Sequence, residues 1–337
     1  MAREGAERRT GRAGHRGDHG AQAVSGAAAT REAFGDAIVK VGSDERIVVL
    51  DGDLRNSNFS ERFEAAYPGR FVEVGIAEHN MLGIAAGLAL SGKQPWACSF
   101  AAFVAGRLEV IRISIGYNEA NVRIVGTHVG VGIGDDGATQ MALEDVSAMR
   151  ALPNMTIIQP CDAAETHGAV AYLASQHEGP AFLRLTRQKL DPVHGDDYRF
   201  EFGKAQTLRD GNDVAIVATG ALVQESLKAA ETLSGEGISA RVVNVHTIAP
   251  LDRDAVVEAA RRTEHVLTAE DHNVNGGLGS AVSEAIVEAG IGAKLARIGM
   301  RSYGESGTQQ ELYEKYGLSA PRVADAARSL VRSDTPV

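Results

Sequence analysis

Short apolar runs rich in β-branched residues recur along the first half of the chain, at residues 46–50, 121–126, 155–159 and 181–185. Each run is bounded by polar or turn-forming residues, which is typical of a buried strand. The segments between them have helical patterns of apolar residues. They predict helices over residues 31–41, 78–90, 141–150 and 162–175, the last with Asp162 as its N-cap. This alternation indicates a parallel sheet with helices on both faces.

A second alternating block has apolar runs at residues 214–218, 241–245, 265–269 and 295–299, and a closing helix that begins at Ser319 with Pro321 in its first turn. Residues 189–202 break the pattern with Pro, Gly and charged residues, as interdomain linkers do. The sequence therefore predicts an α/β protein of two doubly wound domains. Their expected bounds are a tail at 1–24, a first domain at 25–190, a linker at 191–202 and a second domain at 203–337.

Composition narrows the class of protein. The 337 residues are 44% hydrophobic, enough for two domains of ordinary size, and the formal net charge of -10 argues against a nucleic-acid partner. The first 24 residues are rich in Gly, Arg and Ala and predict a disordered tail; a transit peptide is the weaker alternative. The sequence contains no run of eighteen or more apolar residues, so a membrane span is not expected. Cys98 and Cys161 form no C-x-x-C pair, which favours a reducing compartment, the cytoplasm, without a disulfide or zinc framework.

One carboxylate, Glu78, stands at the head of a segment whose residues are small and apolar on nearly every helical face. That pattern predicts a helix buried all round. An unpaired charge buried there would cost several kcal/mol, so Glu78 needs a polar partner or solvent. From its position, the side chain could stabilise the free N–H groups and dipole of the helix N-terminus, or it could meet a ligand.

Other candidate residues lie in two stretches. Phe100 and Phe103 are spaced one helical turn apart, and such a pair is found more often in a core than in a site. Residues 126–145 form a Gly-rich stretch between a predicted strand and a predicted helix, where α/β sheets bind ligands. The stretch matches neither common phosphate-binding loop. Its polar side chains, His128, Asp136 and Gln140, suggest recognition of a polyhydroxylated substrate.

Four motifs together resemble the transketolase family: V-G-I-A-E-H-N-M from residue 74, C-S-F-A-A-F from 98, G-I-G-D-D-G-A-T-Q-M-A-L-E-D from 132 and L-R-L-T-R-Q from 183. The likeness runs from about Ala28 to the C-terminal helix. It implies a pyrimidine-binding domain for thiamine diphosphate followed by the family's C-terminal domain. The family's metal motif, G-D-G followed by N-N, is missing, since neither residues 51–53 nor 134–137 are followed by N-N. The chain is therefore similar to the C-terminal subunit of a split transketolase.

The resemblance also implies roles for individual residues. Glu78 would be catalytic and contact the aminopyrimidine of the cofactor. Phe103 would stack on the aminopyrimidine ring, and Phe100 would lie behind Phe103. Gly106 stands where some family members have a tyrosine, so this wall is incompletely matched. Substrate contacts are implied for Arg31, Ser57, His128, Asp136, Gln140 and Arg187, with Arg31, Ser57 and Arg187 clamping a sugar phosphate. No metal ligand is implied in this chain, because Mg2+ (or Ca2+) would be bound by the N-terminal partner subunit.

The implied reaction is transfer of a two-carbon ketol unit from a ketose to an aldose, both phosphorylated, by an α2β2 heterotetramer. One rival is the β subunit of a 2-oxoacid dehydrogenase-like or 1-deoxyxylulose 5-phosphate synthase-like enzyme; the sugar-phosphate clamp argues against the 2-oxoacid enzymes. Another is a non-catalytic assembly subunit, against which Glu78 argues. The bland alternatives are a solvated surface position for Arg31 and a helix cap for Ser57.

Overall fold

The computed structural model describes residues 26–195 and 197–332. The predicted tail, residues 1–24, lies outside these ranges. The first part of the described chain alternates strands and helices as expected. Its elements are β1 (Ala28–Ala29), α1 (Thr30–Val41), β2 (Ile47–Asp51), α2 (Arg55–Asn58), α3 (Glu61–Ala66), β3 (Phe71–Glu73), α4 (Glu78–Leu90), β4 (Gln94–Phe100), α5 (Ala101–Ala105), α6 (Leu108–Val110), β5 (Arg123–Thr127), α7 (Asp145–Arg150), β6 (Thr156–Ile158), α8 (Ala163–Ser175), β7 (Ala181–Arg184) and β8 (Lys189–Leu190).

The second part continues the alternation after the irregular segment that follows β8. Its elements are β9 (Gln206–Arg209), β10 (Val214–Ala218), α9 (Leu222–Gly235), β11 (Ala240–Asn244), β12 (Thr247–Ala249), α10 (Arg253–Thr263), β13 (His265–Asn273), α11 (Leu278–Glu288), β14 (Lys294–Met300), α12 (Gln309–Lys315) and α13 (Ala320–Arg332). Short 3-10 turns occupy Pro68–Arg70 and Val131–Ile133, and a π-helical segment occupies Ile111–Gly116.

Two main sheets organise the chain. The first has seven strands in the order β12-β6-β7-β5-β4-β2-β3, and the second has five in the order β14-β13-β10-β11-β9. Each sheet is parallel except for one edge strand. In the first sheet β12 pairs antiparallel with β6, and in the second β9 pairs antiparallel with β11. Strand β12 comes from the second half of the chain yet completes the first sheet. The predicted α/β fold class is confirmed.

Alternate residues of the buried strands face opposite helical layers. In β2, Val48 and Leu50 pack into a core with α4 and α5, whereas Ile47 and Val49 pack into a core with α1 and α8. A period of two places successive side chains on opposite faces, so a strand covered on both sides is apolar throughout. Helices on both faces of the first sheet are thus confirmed.

Three local predictions need correction. Strand β4 was not predicted from the sequence, because it contains Pro95 and proline inside an apolar run argues against a central strand. Helix α7 begins at Asp145 rather than residue 141, since Ala142 bridges to Val129 in an extended segment. Helix α4 is not buried all round: Gly83, Gly87 and Leu90 are exposed on one face. Within the described ranges, the helices are too short or too polar to cross a membrane.

Candidate active site

Glu78 is the first residue of α4, and its side chain is turned into the protein. The residue is 4% exposed, and Ser99 Oγ donates a hydrogen bond of 3.0 Å to Oε1. No hydrogen bond from the first turn of α4 to the carboxylate accompanies this contact, so capping does not explain the residue. A Cβ placed on Gly52 would lie 3.4 Å from Oε1, which shows how closely the backbone after β2 approaches. Among the described residues, Oε2 has no donor. This oxygen can therefore bind a group from outside the chain.

The two candidate aromatic residues meet across the junction of β4 and α5. Phe100 ends the strand and Phe103 lies in the helix, so their spacing is not one helical turn as the sequence suggested. The rings stack with centroids 5.4 Å apart. Phe100 is buried and stacks in turn on His128, at 3.7 Å between centroids, while Phe103 is only partly buried. Phe103 therefore offers the open ring, and Phe100 supports it.

A buried polar chain connects the carboxyl ends of β2 and β5. Asp51 accepts hydrogen bonds from Leu54 N, Ser60 Oγ and Asn58 Nδ2 at 2.7, 2.7 and 3.0 Å. Thr127 Oγ1 donates to Asn58 Oδ1 at 2.6 Å and lies 2.8 Å from His128 Nδ1. Desolvation raises the pKa of Asp51 to about 6, against the opposing effect of its hydrogen-bond donors.

His128 has a strained backbone and a neutral ring. Its φ of 59° lies in the left-handed region, which is uncommon for residues other than glycine and costs about 1–2 kcal/mol. Burial lowers the pKa of its imidazole to about 3, and the nearby charges of Arg31 and Arg187 add to the effect. At neutral pH one ring nitrogen is therefore a donor and the other an acceptor.

Two guanidiniums approach this histidine. Arg31 Nη1 lies 3.3 Å from His128 Nε2 and donates to Ser57 O at 2.5 Å. Arg31 Nε is buried and has no hydrogen-bond partner in the described part of the chain. Burial lowers the pKa of Arg31, and the charge of Arg187 lowers it further. A guanidinium with an unpartnered buried N–H, close enough to a second cation to lose affinity for its proton, favours an anion as a further partner.

The structure places Ser57 inside α2, so it does not cap the following helix, α3, which is preceded by Ser60. Its carbonyl oxygen accepts from Arg31 Nη1 and so orients this guanidinium. Arg31 is partly buried and has specific partners, which excludes a purely solvated role. Asp136 is exposed and Gln140 partly buried, in the turn that follows Val131–Ile133. Asp136 Oδ1 lies 3.7 Å from Arg187 Nη1.

The second half of the chain holds this turn in place. Asp271 Oδ1 accepts from Val131 N at 2.8 Å, and Oδ2 accepts from Gly132 N at 3.1 Å and from Tyr313 OH at 2.9 Å. The next residue of the turn, Ile133, accepts from Arg187 Nη1 at 2.5 Å. Asp271 thus fixes the backbone to which Arg187 is hydrogen-bonded.

Sequence reasoning missed the residues that support the site: Asp51, Asn58, Ser99, Thr127 and Asp271. The available signal was position, because three of them end strands β2, β4 or β5, or lie one residue before the end, at one edge of the parallel sheet.

A second polar group, Cys161, Asp162 and His194, has ligand atoms within 4.8 Å of one another. Asp162 caps α8 as predicted, through Glu165 N, and its Oδ2 accepts from His194 Nδ1 at 3.0 Å. Backbone N–H groups of Val193 and His194 also donate to Oδ2. These bonds fasten the segment after β8 to the first sheet's helices, and this group is a structural clamp.

Comparison with known proteins agrees with this geometry. Residues 26–192 match the family model described as "Transketolase, pyrimidine binding domain", and residues 203–323 match "Transketolase, C-terminal domain". The chain is 42% identical over 303 residues to the 6-deoxy-6-sulfo-D-fructose transketolase subunit SqwH of Clostridium sp. (strain MSTE9), covering 89% of this chain and 94% of that protein. It is 39% identical over 309 residues to human transketolase, covering 90% of this chain and 49% of the human protein.

Among solved structures, one described as a split gene transketolase, an inactive β4 tetramer, matches with a TM-score of 0.84 and 45% identity. The match covers 90% of this chain and 98% of that one. The chain thus corresponds in length to a split subunit and spans about half of the human enzyme.

Proposed function

The chain belongs to the transketolase family, and we propose that it is the C-terminal subunit of a two-component, thiamine diphosphate-dependent transketolase. It would transfer a two-carbon ketol unit from a ketose to an aldose, with the active site shared with an N-terminal subunit. The observation that carries this proposal is Glu78: a carboxylate 4% exposed, held by Ser99 and with one oxygen left for a partner.

The residues fit the pyrimidine half of thiamine diphosphate. Glu78 Oε2 would hydrogen-bond a ring nitrogen, sharing a proton with it, and Phe103 would stack on the ring with Phe100 behind it. When bound, the cofactor supplies the nucleophilic carbon that takes up the ketol unit. Ser99 keeps the carboxylate in its orientation, and the surrounding core excludes water from it. The partner subunit would hold the diphosphate and its Mg2+.

The substrate end of the cleft supports a phosphorylated sugar. Arg31 and Arg187 would bind its terminal anion, with Ser57 beside them, and Asp136, Gln140 and His128 would contact its hydroxyls. A 2-oxoacid has no such distal anion, so these cations disfavour the 2-oxoacid dehydrogenase alternative. The relative from Clostridium is named for a sulfonated sugar, and a sulfonate has the same three-oxygen geometry with less charge than a phosphate.

An exposed apolar face next to Glu78 supports assembly with further subunits. Ile76, just before α4, is 85% exposed, and Leu90, the last residue of the helix, is 65% exposed; Gly83 and Gly87 lie open between them. Apolar patches of this kind mark interaction sites in soluble proteins. We expect an α2β2 heterotetramer with the N-terminal subunit. Light scattering of the mixed, purified chains should give the mass of two copies of each.

The decisive experiment replaces Glu78 with Gln in the reconstituted complex. Gln keeps the acceptor for Ser99 but cannot exchange a proton, so kcat should fall by about 10²–10⁴-fold. Glu61→Gln, on the exposed surface of α3, is the matched control and should leave kcat unchanged. Full turnover by the Glu78→Gln complex would favour the non-catalytic assembly subunit, and ketol transfer by this chain alone would refute the split active site.

A second experiment identifies the anion. Arg31→Met and Arg187→Met should each raise KM for a phosphorylated ketose while changing KM for its unphosphorylated analogue much less. Arg46→Met, which removes an exposed ion pair with Asp44, controls for loss of charge. A sulfonated ketose is the third substrate. Preference for it over the phosphate would assign the chain to sulfosugar metabolism, and equal effects on all three substrates would refute the clamp.

A further inference from the structure

The buried polar chain behind His128 runs in one direction only. At its inner end, ionised Asp51 accepts hydrogen bonds and cannot donate them. The amide of Asn58 must therefore present its NH2 group to Asp51, at 3.0 Å. This leaves Asn58 Oδ1 facing Thr127, whose hydroxyl donates to it at 2.6 Å. The orientation of each group follows from the one before it.

The direction continues into the imidazole. A hydroxyl has one proton, and that of Thr127 is committed to Asn58. Its contact with His128 Nδ1, 2.8 Å long, is consequently a bond in which Nδ1–H donates to the hydroxyl oxygen. In a neutral ring this tautomer leaves Nε2 as an acceptor, and Arg31 Nη1, a donor, lies 3.3 Å from it.

Resting on the proposed function, we propose that Asp51, Asn58 and Thr127 are positioning residues that fix His128 as its Nδ1–H tautomer. His128 Nε2 is then a permanent acceptor at the substrate end of the cleft, where it accepts one hydrogen bond, from Arg31 Nη1 or from a sugar hydroxyl that replaces it. The stack of Phe100 on the imidazole, 3.7 Å between centroids, holds the ring plane while the polar chain sets its protons.

The opposite tautomer would disrupt the clamp. With a proton on Nε2, two N–H donors would face each other across the contact of 3.3 Å between His128 and Arg31. Arg31 would have to move away from His128, and the phosphate-binding geometry would change. Displacement of a positioning group by about 1 Å can lower activity by about 100-fold.

The experiment reads the tautomer directly. The intact complex is prepared with histidine labelled by 15N in the ring, and solid-state NMR separates donor from acceptor nitrogens. The His128 signal is assigned as the one missing from a His128→Gln complex. In the native complex we expect Nδ1 protonated and Nε2 unprotonated. Protonated Nε2 in the native complex would overturn the proposal, and it would do so without reference to activity.

Variants test the direction of the chain. Thr127→Val removes the hydroxyl at constant shape, and should give mixed tautomers and raise KM for the phosphorylated ketose about 10- to 100-fold with a smaller change in kcat. Thr127→Ser should restore both readouts.

Asp51→Asn provides a donor at the inner end, so the whole chain of hydrogen bonds can reverse and protonated Nε2 should appear. A native tautomer in Thr127→Val, or unchanged tautomers in a folded Asp51→Asn complex, would refute the relay. A complex with the expected tautomer but no ketol transfer would instead refute the proposed function.

Discussion

Removing the carboxylate of Asp271 should weaken both the fold and the substrate site. Asp271 is buried in the second half of the chain and accepts three hydrogen bonds, two of them from backbone N–H groups of Val131 and Gly132 in the first half. The third comes from Tyr313 OH. Asp271→Ala would leave all three donors without an acceptor. Because a Cβ at Gly130 would lie 2.1 Å from the carboxyl carbon of Asp271, the loop is packed directly against this group.

The expected magnitude follows from these contacts. Each orphaned donor costs about 1–3 kcal/mol, or about 3–9 kcal/mol in total. Part of this is offset, since burial raises the pKa of Asp271 and the native structure already bears the cost of desolvating its charge. We expect a net loss of about 3–5 kcal/mol in the free energy of unfolding, typical of breaking a buried charged contact. Tyr313→Phe, the matched control, removes one donor to Asp271 and leaves Gln188 Nε2 without the hydroxyl that accepts from it at 2.9 Å, so it should cost about 1–3 kcal/mol.

Urea unfolding measures the difference: with a slope of about 2–3 kcal/mol/M, Asp271→Ala should lower the midpoint by more than about 1 M. Hydrogen exchange should accelerate at Val131 and Gly132, and KM for the sugar substrate should rise because Arg187 depends on Ile133 O. If Asp271→Ala is no less stable than Tyr313→Phe and exchange at the turn is unchanged, the carboxylate does not hold the loop and the argument fails.

Three further outcomes are expected. The pKa of Asp51 is about 6 in the folded protein and about 3.8 in the unfolded chain, so the native state binds the proton more tightly. The free energy of unfolding should therefore fall by about 3 kcal/mol as pH rises from about 4 to 6, and Asp51→Asn should lose this dependence in urea titrations. A constant stability difference between the two proteins across that pH range would contradict the prediction. Gly277→Ala places a Cβ 2.1 Å from Oε2 of Glu270, the side chain that caps α11, and should lower the free energy of unfolding by about 1–3 kcal/mol. Gly292→Ala, whose Cβ would have no atom within 4 Å, is the control and should not lower it. Equal melting temperatures for the two variants would show that the turn at Gly277 relaxes. Phe103→Leu should raise the concentration of thiamine diphosphate needed for half-maximal activity by about 10-fold without lowering the melting temperature as much as Phe100→Leu; the reverse order would exchange their roles.

Local pattern was sufficient for the elements that bury apolar runs. Residues 46–50 became β2 with a shift of one residue, and Asp162 caps α8, because both signals lie within a few consecutive residues. Strand β4 was missed because Pro95 opposes the pattern, and tertiary burial on both faces overrode that local preference. The exposed face of α4 could not be predicted either, since an apolar helix reads the same whether its own chain or another subunit covers it.

The sequence by itself determined the α/β class, the family, and the identity of the candidate residues, since motifs and periodicity are properties of neighbouring positions. Only the tertiary structure decided which groups meet. Thr127 lies 69 residues from its partner Asn58, and Asp271 lies 140 residues from Val131. Such contacts depend on strand order and register, which no local period encodes. The sequence therefore left open whether Glu78 caps a helix or meets a ligand. The fold decided this point, because it pairs Oε1 with Ser99 and leaves Oε2 available to a ligand.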